Sequence, residues 1–248
     1  LKKILKQLKN KYKIIIIENS LDVRIKKKFE AEFKNVSVII PKRNLGLAKS
    51  YNLGIKKAKT QFVFLNNPDI EIKNQAIKNL IACAKKIKNF GIISPTYKIQ
   101  KIYKNYEIIK KKKSSISNIF KEFEIIEVDL IDNNFLVDKN KLGKTFFDEN
   151  YFLYFETIDF SKSLQEKNKK LFVCKKIKFH HYGSSSLPKK FSNLVNKTRA
   201  FHYNWSKFYY FKKNFNYIYA LKKSFPSIIK ITKNLIINLI KVDLVNLR

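Results

Sequence analysis

Five short stretches carry side chains that can do chemistry. In Leu65-Asn66-Asn67-Pro68-Asp69, a carboxylate follows an apolar run and a proline that fixes the turn. That placement suits a divalent cation, since Mg²⁺ takes one or two carboxylates and fills its other positions with substrate oxygens. Asn-Pro-Asp is also ordinary turn chemistry. Glu156 and Asp159 stand three apart at the start of a helical pattern. They share a face there, and the helix dipole favours their ionised forms. Either can act as a general base if burial sets its pKa suitably, and either can simply cap the helix. His180-His181-Tyr182-Gly183-Ser184-Ser185-Ser186 places an imidazole before a Gly/Ser loop, where it can meet a diphosphate or a metal. Adjacent residues of a strand point to opposite faces, so at most one of the two histidines serves. Glu18-Asn19-Ser20 ends an apolar run, where a carboxylate can accept the N3–H of a pyrimidine base. Arg43-Asn44-Leu45-Gly46 leads into a helix that contains Asn52-Leu53-Gly54, and neither group says much alone.

These residues need elements to position them, and the first half of the chain supplies an alternation. Apolar β-branched runs at 11–17, 36–40, 61–65 and 91–95 read as buried strands. Between them, 46–59 and 74–88 read as amphipathic helices, with Leu47, Tyr51, Ile55 and Ala58 on one stripe and Ile77, Leu80, Ile81, Ala84 and Ile87 on the other. Such alternation predicts an α/β sheet, largely parallel, with ligands at the carboxyl ends of the strands. Further on, 98–121 reads as a lysine-rich loop and 125–137 as two strands or a hairpin around Asp132-Asn133-Asn134. A helix over 156–167 and a strand over 171–181 follow. The pattern predicts a first domain over 1–188 and a basic, aromatic, amphipathic helical extension over 189–248, with Pro226 opening its last stretch.

The 248 residues suffice to bury a sizeable core. Two cysteines exclude a disulfide-rich scaffold and a multi-Cys zinc site, and 3 His make a His-built metal site hard to assemble. With 53 basic against 19 acidic residues the formal charge is +34. Only Arg24, Arg43, Arg199 and Arg248 among the basic residues are arginine, and the charge is spread along the chain. Base reading and phosphate forks favour Arg, so nucleic acid is set aside as a partner. Two readings of the charge stay open: the compositional bias of a Lys-, Ile- and Asn-rich chain, and attraction to an anionic membrane surface. The chain has no Met and begins Leu1-Lys2-Lys3, the expectation for a processed chain or a fragment. No apolar stretch of about 18 residues is present to span a bilayer.

Taken in order, Ile17-Glu18-Asn19-Ser20, Asn44-Leu45-Gly46, Asn52-Leu53-Gly54-Ile55, Leu65 to Asp69, Phe146 to Glu156 and His181 resemble the family 2 glycosyltransferases. The branch most similar is that of the bacterial rhamnosyltransferase-like enzymes of surface-polysaccharide assembly, and the resemblance covers about residues 11–215. It implies an α/β GT-A fold with a mixed central sheet: a Rossmann-like nucleotide-binding half joined to an acceptor half in one continuous sheet, followed by a helical C-terminal extension. It also implies transfer of a sugar, with inversion, from a nucleotide diphosphate donor to a hydroxyl of a glycan or lipid-linked acceptor. By the same resemblance Glu18, Asn19, Ser20, Asn44, Gly46, Asn52, Asn67, Asp69 and His181 are donor-binding, and Asp69 holds Mg²⁺ or Mn²⁺. Glu156 or Asp159 is then the catalytic base, and the enzyme works in the cytoplasm or on the inner face of the plasma membrane.

The chain departs from that pattern in three places. Asn67 stands where the metal motif often has its first acid. Thr157 stands where the family has the second acid of a pair, and a hydroxyl cannot serve as a base at neutral pH. The family's first strand, with a nucleotide-binding loop, is expected before residue 1. Thr157 also favours another reading, in which a degenerate transferase domain serves as a non-catalytic basic surface for membrane or nucleic acid.

Overall fold

A computed structural model describes residues 1–9, 11–71, 73–98, 105–109, 123–143, 146–181, 192–227, 229 and 232–233. The Gly183–Ser186 loop, most of the lysine-rich 98–121 stretch and residues 234–248 lie outside the described residues. The chain forms two compact units, Leu1–Phe152 with Glu156–Lys189, and Leu153–Phe155 with Lys190–Arg248.

The first unit begins with α1 (Lys2–Gln7), β1 (Ile14–Ile17), α2 (Val23–Glu32), β2 (Val36–Ile39), α3 (Gly46–Lys57), β3 (Phe62–Leu65), β4 (Ile70–Glu71) and α4 (Asn74–Lys86). It continues with β5 (Phe90–Lys98), β6 (Tyr106–Glu107), β7 (Ile125–Val128), β8 (Leu130–Ile131), β9 (Phe135–Asp138), α5 (Lys139–Leu142), α6 (Glu156–Glu166) and β10 (Lys170–His181). The strands and helices expected in the first half are present. α2 was not expected, and its sequence explains why. Phe29 is its sole buried residue, and Arg24, Lys26, Lys27, Lys28, Glu30 and Glu32 make most of the rest charged, so periodicity gives it little signal. Its start is fixed by Asp22, whose carboxylate accepts the Arg24 backbone N–H.

The central sheet is mixed, as the resemblance implies. It corrects two other expectations, since it is neither continuous nor largely parallel as strand–helix alternation alone predicts. β1 and β2 pair in parallel as a two-stranded sheet, separate from a six-stranded sheet ordered β3-β9-β5-β10-β4 with β7 also on β10. In that larger sheet only β5 and β10 run parallel. β9 lies antiparallel between β3 and β5, and β10 is antiparallel to β4 and β7. Nor is 125–137 a hairpin: β7 pairs β10, β8 pairs β6, and β9 joins the sheet centre. All four residues of β9 are buried. A strand buried on both faces gains more between two partners than at the edge of a local hairpin.

The core lies under α4, where Ile77, Leu80, Cys83 and Ala84 pack on Phe90, Ile93, Leu136, Phe172 and Cys174. A smaller core joins Leu5, Phe29, Phe33, Val36 and Val38 around β2. In the second unit, α7 (Ser192–Asn214) and helical residues 217–227 dominate. Pro226 lies within helical residues 217–227, and most of the stretch expected after it lies outside the described residues. Ser206 Oγ donates to Leu153 O at 2.8 Å, and Tyr203 rests edge-on against Tyr154. No helix among the described residues is long and apolar enough to cross a membrane.

Candidate functional site

Two groups of predicted residues gather at the carboxyl ends of the strands. The first surrounds the start of α3. Glu18 follows β1 and accepts from the Ser20 N–H at 2.7 Å and from the Ser20 hydroxyl. Asn19 ties this turn to α3: its Oδ1 accepts the Leu45 N–H at 3.1 Å, and its Nδ2 donates to Ser50 Oγ at 2.8 Å. Asn44 Oδ1 accepts the Gly46 N–H at 2.9 Å. Gly46 has φ +70°, and a Cβ there would lie 2.4 Å from the Phe152 carbonyl oxygen. The Leu47 N–H donates to that oxygen at 2.7 Å, so the close approach is a hydrogen-bonded junction that leaves room for glycine alone. Asn52, a turn and a half along, is buried and committed to structure. Its amide donates to Phe147 O at 2.9 Å and accepts the Phe147 N–H at 3.0 Å.

The second group gathers around Tyr51. Asn67-Pro68-Asp69-Ile70 closes a turn, with the Ile70 N–H on Asn67 O at 3.2 Å. The turn leaves Asp69 half-buried at the end of β3. Tyr51 donates to Asn67 Oδ1 at 2.8 Å, and Asn67 Nδ2 donates to Asn133 Oδ1 at 3.4 Å. Asn134 Nδ2 donates to Asn66 Oδ1 at 2.5 Å, while Ser94 Oγ donates to Asn134 O at 3.0 Å. The Asp132 N–H donates to Asn105 O at 2.8 Å. These bonds fix 132–134 beside the end of β3, with Asn133 and Asn134 both at φ +51°, a conformation asparagine tolerates better than most residues.

α6 closes this group. Thr157 Oγ1 donates to Asp132 Oδ1 at 2.9 Å. Glu156 is 3% exposed, and its Oε2 has no hydrogen-bond partner among the described residues. Burial, and after it the charge of Asp132, pushes the Glu156 carboxyl from 4.5 up to about 7, with its own backbone N–H opposing in part. Burial first, and then the charges of Glu156, Asp132 and Asp69, push the Tyr51 phenol well above its ordinary range. Carboxyl groups from two turns and from the start of α6 therefore bear on one phenol. Asp159, also 3% exposed, faces elsewhere and accepts from the Tyr151 hydroxyl at 3.2 Å. Beneath lies a floor of packed rings, Phe147 stacked on Phe160 at 4.2 Å and Tyr51 tilted against Phe147 at 5.2 Å. Tyr154 and Phe155, just before Glu156, hold φ +70° and +64°, a strained conformation for aromatic residues.

A family model described as glycosyl transferase family 2 matches residues 1–152. The chain belongs to glycosyl transferase family 2. Among solved structures it is similar to a crystal structure of GalNAc-T7 with UDP, GalNAc and Mn²⁺, at 16% identity and a TM-score of 0.56. That match covers 73% of this chain and 38% of the other, so the chain spans well under half the length of that protein. The likeness is one of fold, and the fold is the GT-A glycosyltransferase fold with a helical C-terminal part. No curated protein sequence matches the chain.

Family membership raises the question of a divalent metal. No cluster of three or more His, Cys, Asp or Glu side chains able to hold one is present among the described residues. Asp69 still fits. It offers one hard carboxylate at a strand end, and a Mg²⁺-type ion needs only one or two when a diphosphate supplies the rest. The backbone of His181 pairs with Ile70, which brings the end of β10 beside Asp69. The His181 side chain lies outside the described part.

The sequence reading missed Tyr51, Asp132 and Asn134 as members of this hydrogen-bonded cluster. Tyr51 sat on the apolar stripe of a helix and read as core. Asp132 and Asn134 read as a turn. The one available signal was Asp-Asn-Asn directly after a strand, the same chemistry as the Asn-Pro-Asp run.

Proposed function

We propose that the chain is an inverting glycosyltransferase that moves a sugar from a nucleotide diphosphate donor to a hydroxyl of a surface glycan or lipid-linked acceptor. The observation that carries this is the hydrogen-bonded cluster in a family 2 chain that joins Tyr51 to Asn67, Asn67 to Asn133 and Thr157 to Asp132, with Asp69 and Glu156 close to its members in the chain. Glu18, Asn19, Ser20, Asn44 and Gly46 form the nucleotide side, where the half-buried Glu18 carboxylate meets the base. Asp69, with His181 beside it, faces the diphosphate. Mg²⁺ or Mn²⁺ held by Asp69 supplies positive charge to the leaving diphosphate. Asn67 fixes the Tyr51 hydroxyl, and the ring floor keeps water from beneath the sugar. Asp159 positions Tyr151. A carboxylate beside Thr157 takes the acceptor proton as the hydroxyl attacks from the face opposite the leaving group.

The second unit supports a place for this chemistry. Phe201, Trp205, Tyr217, Ile218 and Phe225 are exposed, with lysines interspersed. Aromatics and lysines together suit the anionic inner leaflet of the plasma membrane, where a lipid-linked acceptor is found.

Thermal shift with UDP-, dTDP- and GDP-sugars, dTDP-rhamnose included, with and without Mn²⁺, tests the reading. One nucleotide should stabilise the chain only with metal, and Asp69→Ala should abolish that metal dependence while the protein stays folded. No shift with any donor on folded protein would favour the non-catalytic basic-surface reading instead.

A further inference from the structure

We infer that Asp132, at the end of β8, is the carboxylate that takes the acceptor's proton, oriented for that task by the Thr157 hydroxyl. The inference rests on the transferase reading and names the base within it. Four carboxylates bear on the site. Asp69 faces the diphosphate side. Asp159 is 3% exposed and accepts from Tyr151. Glu156 is equally buried. Asp132 alone of the last three is partly exposed. A base must come within hydrogen-bond reach of the proton it removes, so exposure matters first.

The surroundings of Asp132 are those of a held carboxylate. Its backbone N–H is bound to Asn105 O at 2.8 Å. Its Oδ1 accepts from Thr157 Oγ1 at 2.9 Å, which ties the carboxylate to the start of α6. Glu156, nine-tenths buried with Oε2 unpartnered, stands close enough for Asp132 to act on it electrostatically. Thr157 is therefore the partner of a base presented from a neighbouring loop.

The step balances. The acceptor O–H bond breaks and its proton passes to Asp132. The acceptor oxygen bonds to the anomeric carbon as the bond from that carbon to the diphosphate oxygen breaks. The electron pair leaves with the nucleoside diphosphate, and Asp132 later returns the proton to water.

The test uses the full chain and the nucleotide sugar that gives the thermal shift. Nucleoside diphosphate release is followed with water and with p-nitrophenyl glycosides as acceptors. Asp132→Asn keeps an oxygen for the Thr157 hydroxyl, so donor-induced stabilisation should hold while turnover falls at least about 100-fold. Combining Asp132→Asn with Thr157→Asp returns a carboxylate about 3 Å away and should recover at least about tenfold of the loss, which a purely structural role would not allow. Turnover of Asp132→Asn above one-third of the parent, or no recovery in the double variant, would overturn the assignment and leave the transferase reading standing. A parent chain that no nucleotide sugar stabilises would overturn the transferase reading, and this assignment with it.

Discussion

Glu156→Gln should make the protein more stable, and the gain should grow with pH. The parent carboxyl has its pKa raised by burial and by the nearby charge of Asp132, from 4.5 to about 7. A raised carboxyl means that the folded state holds a proton the unfolded state has already lost. Its favourable contribution is complete below pH 4.5 and disappears as pH rises through 7. At about 1.4 kcal/mol per unit of pKa, the full effect is about 3 kcal/mol, of which about 2.5 kcal/mol falls between pH 5 and pH 8. Exposure of 3% leaves little water to screen it. Gln has nearly the same shape and no charge to bury, so the stability gap between variant and parent should widen by that amount over this range. In a domain of this size the gap corresponds to roughly 5–10 °C in Tm. Urea unfolding of both proteins at pH 5, 6, 7 and 8 reads it directly. A gap constant to within about 0.5 kcal/mol would mean that Glu156 ionises at its ordinary pKa in the folded protein. Desolvation would then be the wrong account of this site.

Gly46→Ala should cost about 3 kcal/mol or more, since it adds a Cβ 2.4 Å from the Phe152 oxygen at φ +70°; a calorimetric Tm unchanged within 2 °C would contradict this. Asp159→Asn still accepts from the Tyr151 hydroxyl, so nucleoside diphosphate release should fall less than about tenfold, and a loss above about 100-fold would restore Asp159 as base. Thr157→Asp alone sets two carboxylates where the hydroxyl and Asp132 now meet at 2.9 Å. It should lose about 1–2 kcal/mol at pH 8 by urea unfolding, and adding Asp132→Asn should remove most of that loss.

The parts of the fold legible in the sequence are those that local pattern decides. Ile14–Ile17, Val36–Ile39 and Phe62–Leu65 are short β-branched or aromatic runs between turn residues, and α3 and α4 carry clear apolar stripes. Pairing is not local, and there the reading failed. The partner of β7 is β10, more than forty residues away, and nothing in Ile125–Val128 says so. Alternation alone reads as a largely parallel sheet, and only the resemblance implies a mixed one, because β9 enters antiparallel from a loop that carries no periodicity. In the site, Asp69 and Glu156 were legible because carboxylates at element ends stand out. Tyr51 did not, because the stripe that packs it on Phe147 also hides its hydroxyl on Asn67.

Thr157 shows the same limit. In one dimension it reads as a missing acid beside Glu156. In three dimensions the position is already next to a carboxylate, because Asp132 Oδ1 lies 2.9 Å from its hydroxyl. An acid at 157 would face Asp132 at that distance, with the buried Glu156 already perturbed by the same charge. Like charges so close cannot all ionise, and at least one would hold its proton at neutral pH. A hydroxyl at 157 with an acid at 132 gives one carboxyl group at this spot, one donor to orient it and no added repulsion. The pair is thus electrostatically exclusive: an acid on the helix or an acid on the loop. Loss of an acid at one position of a motif says little about activity until the neighbours in space have been counted.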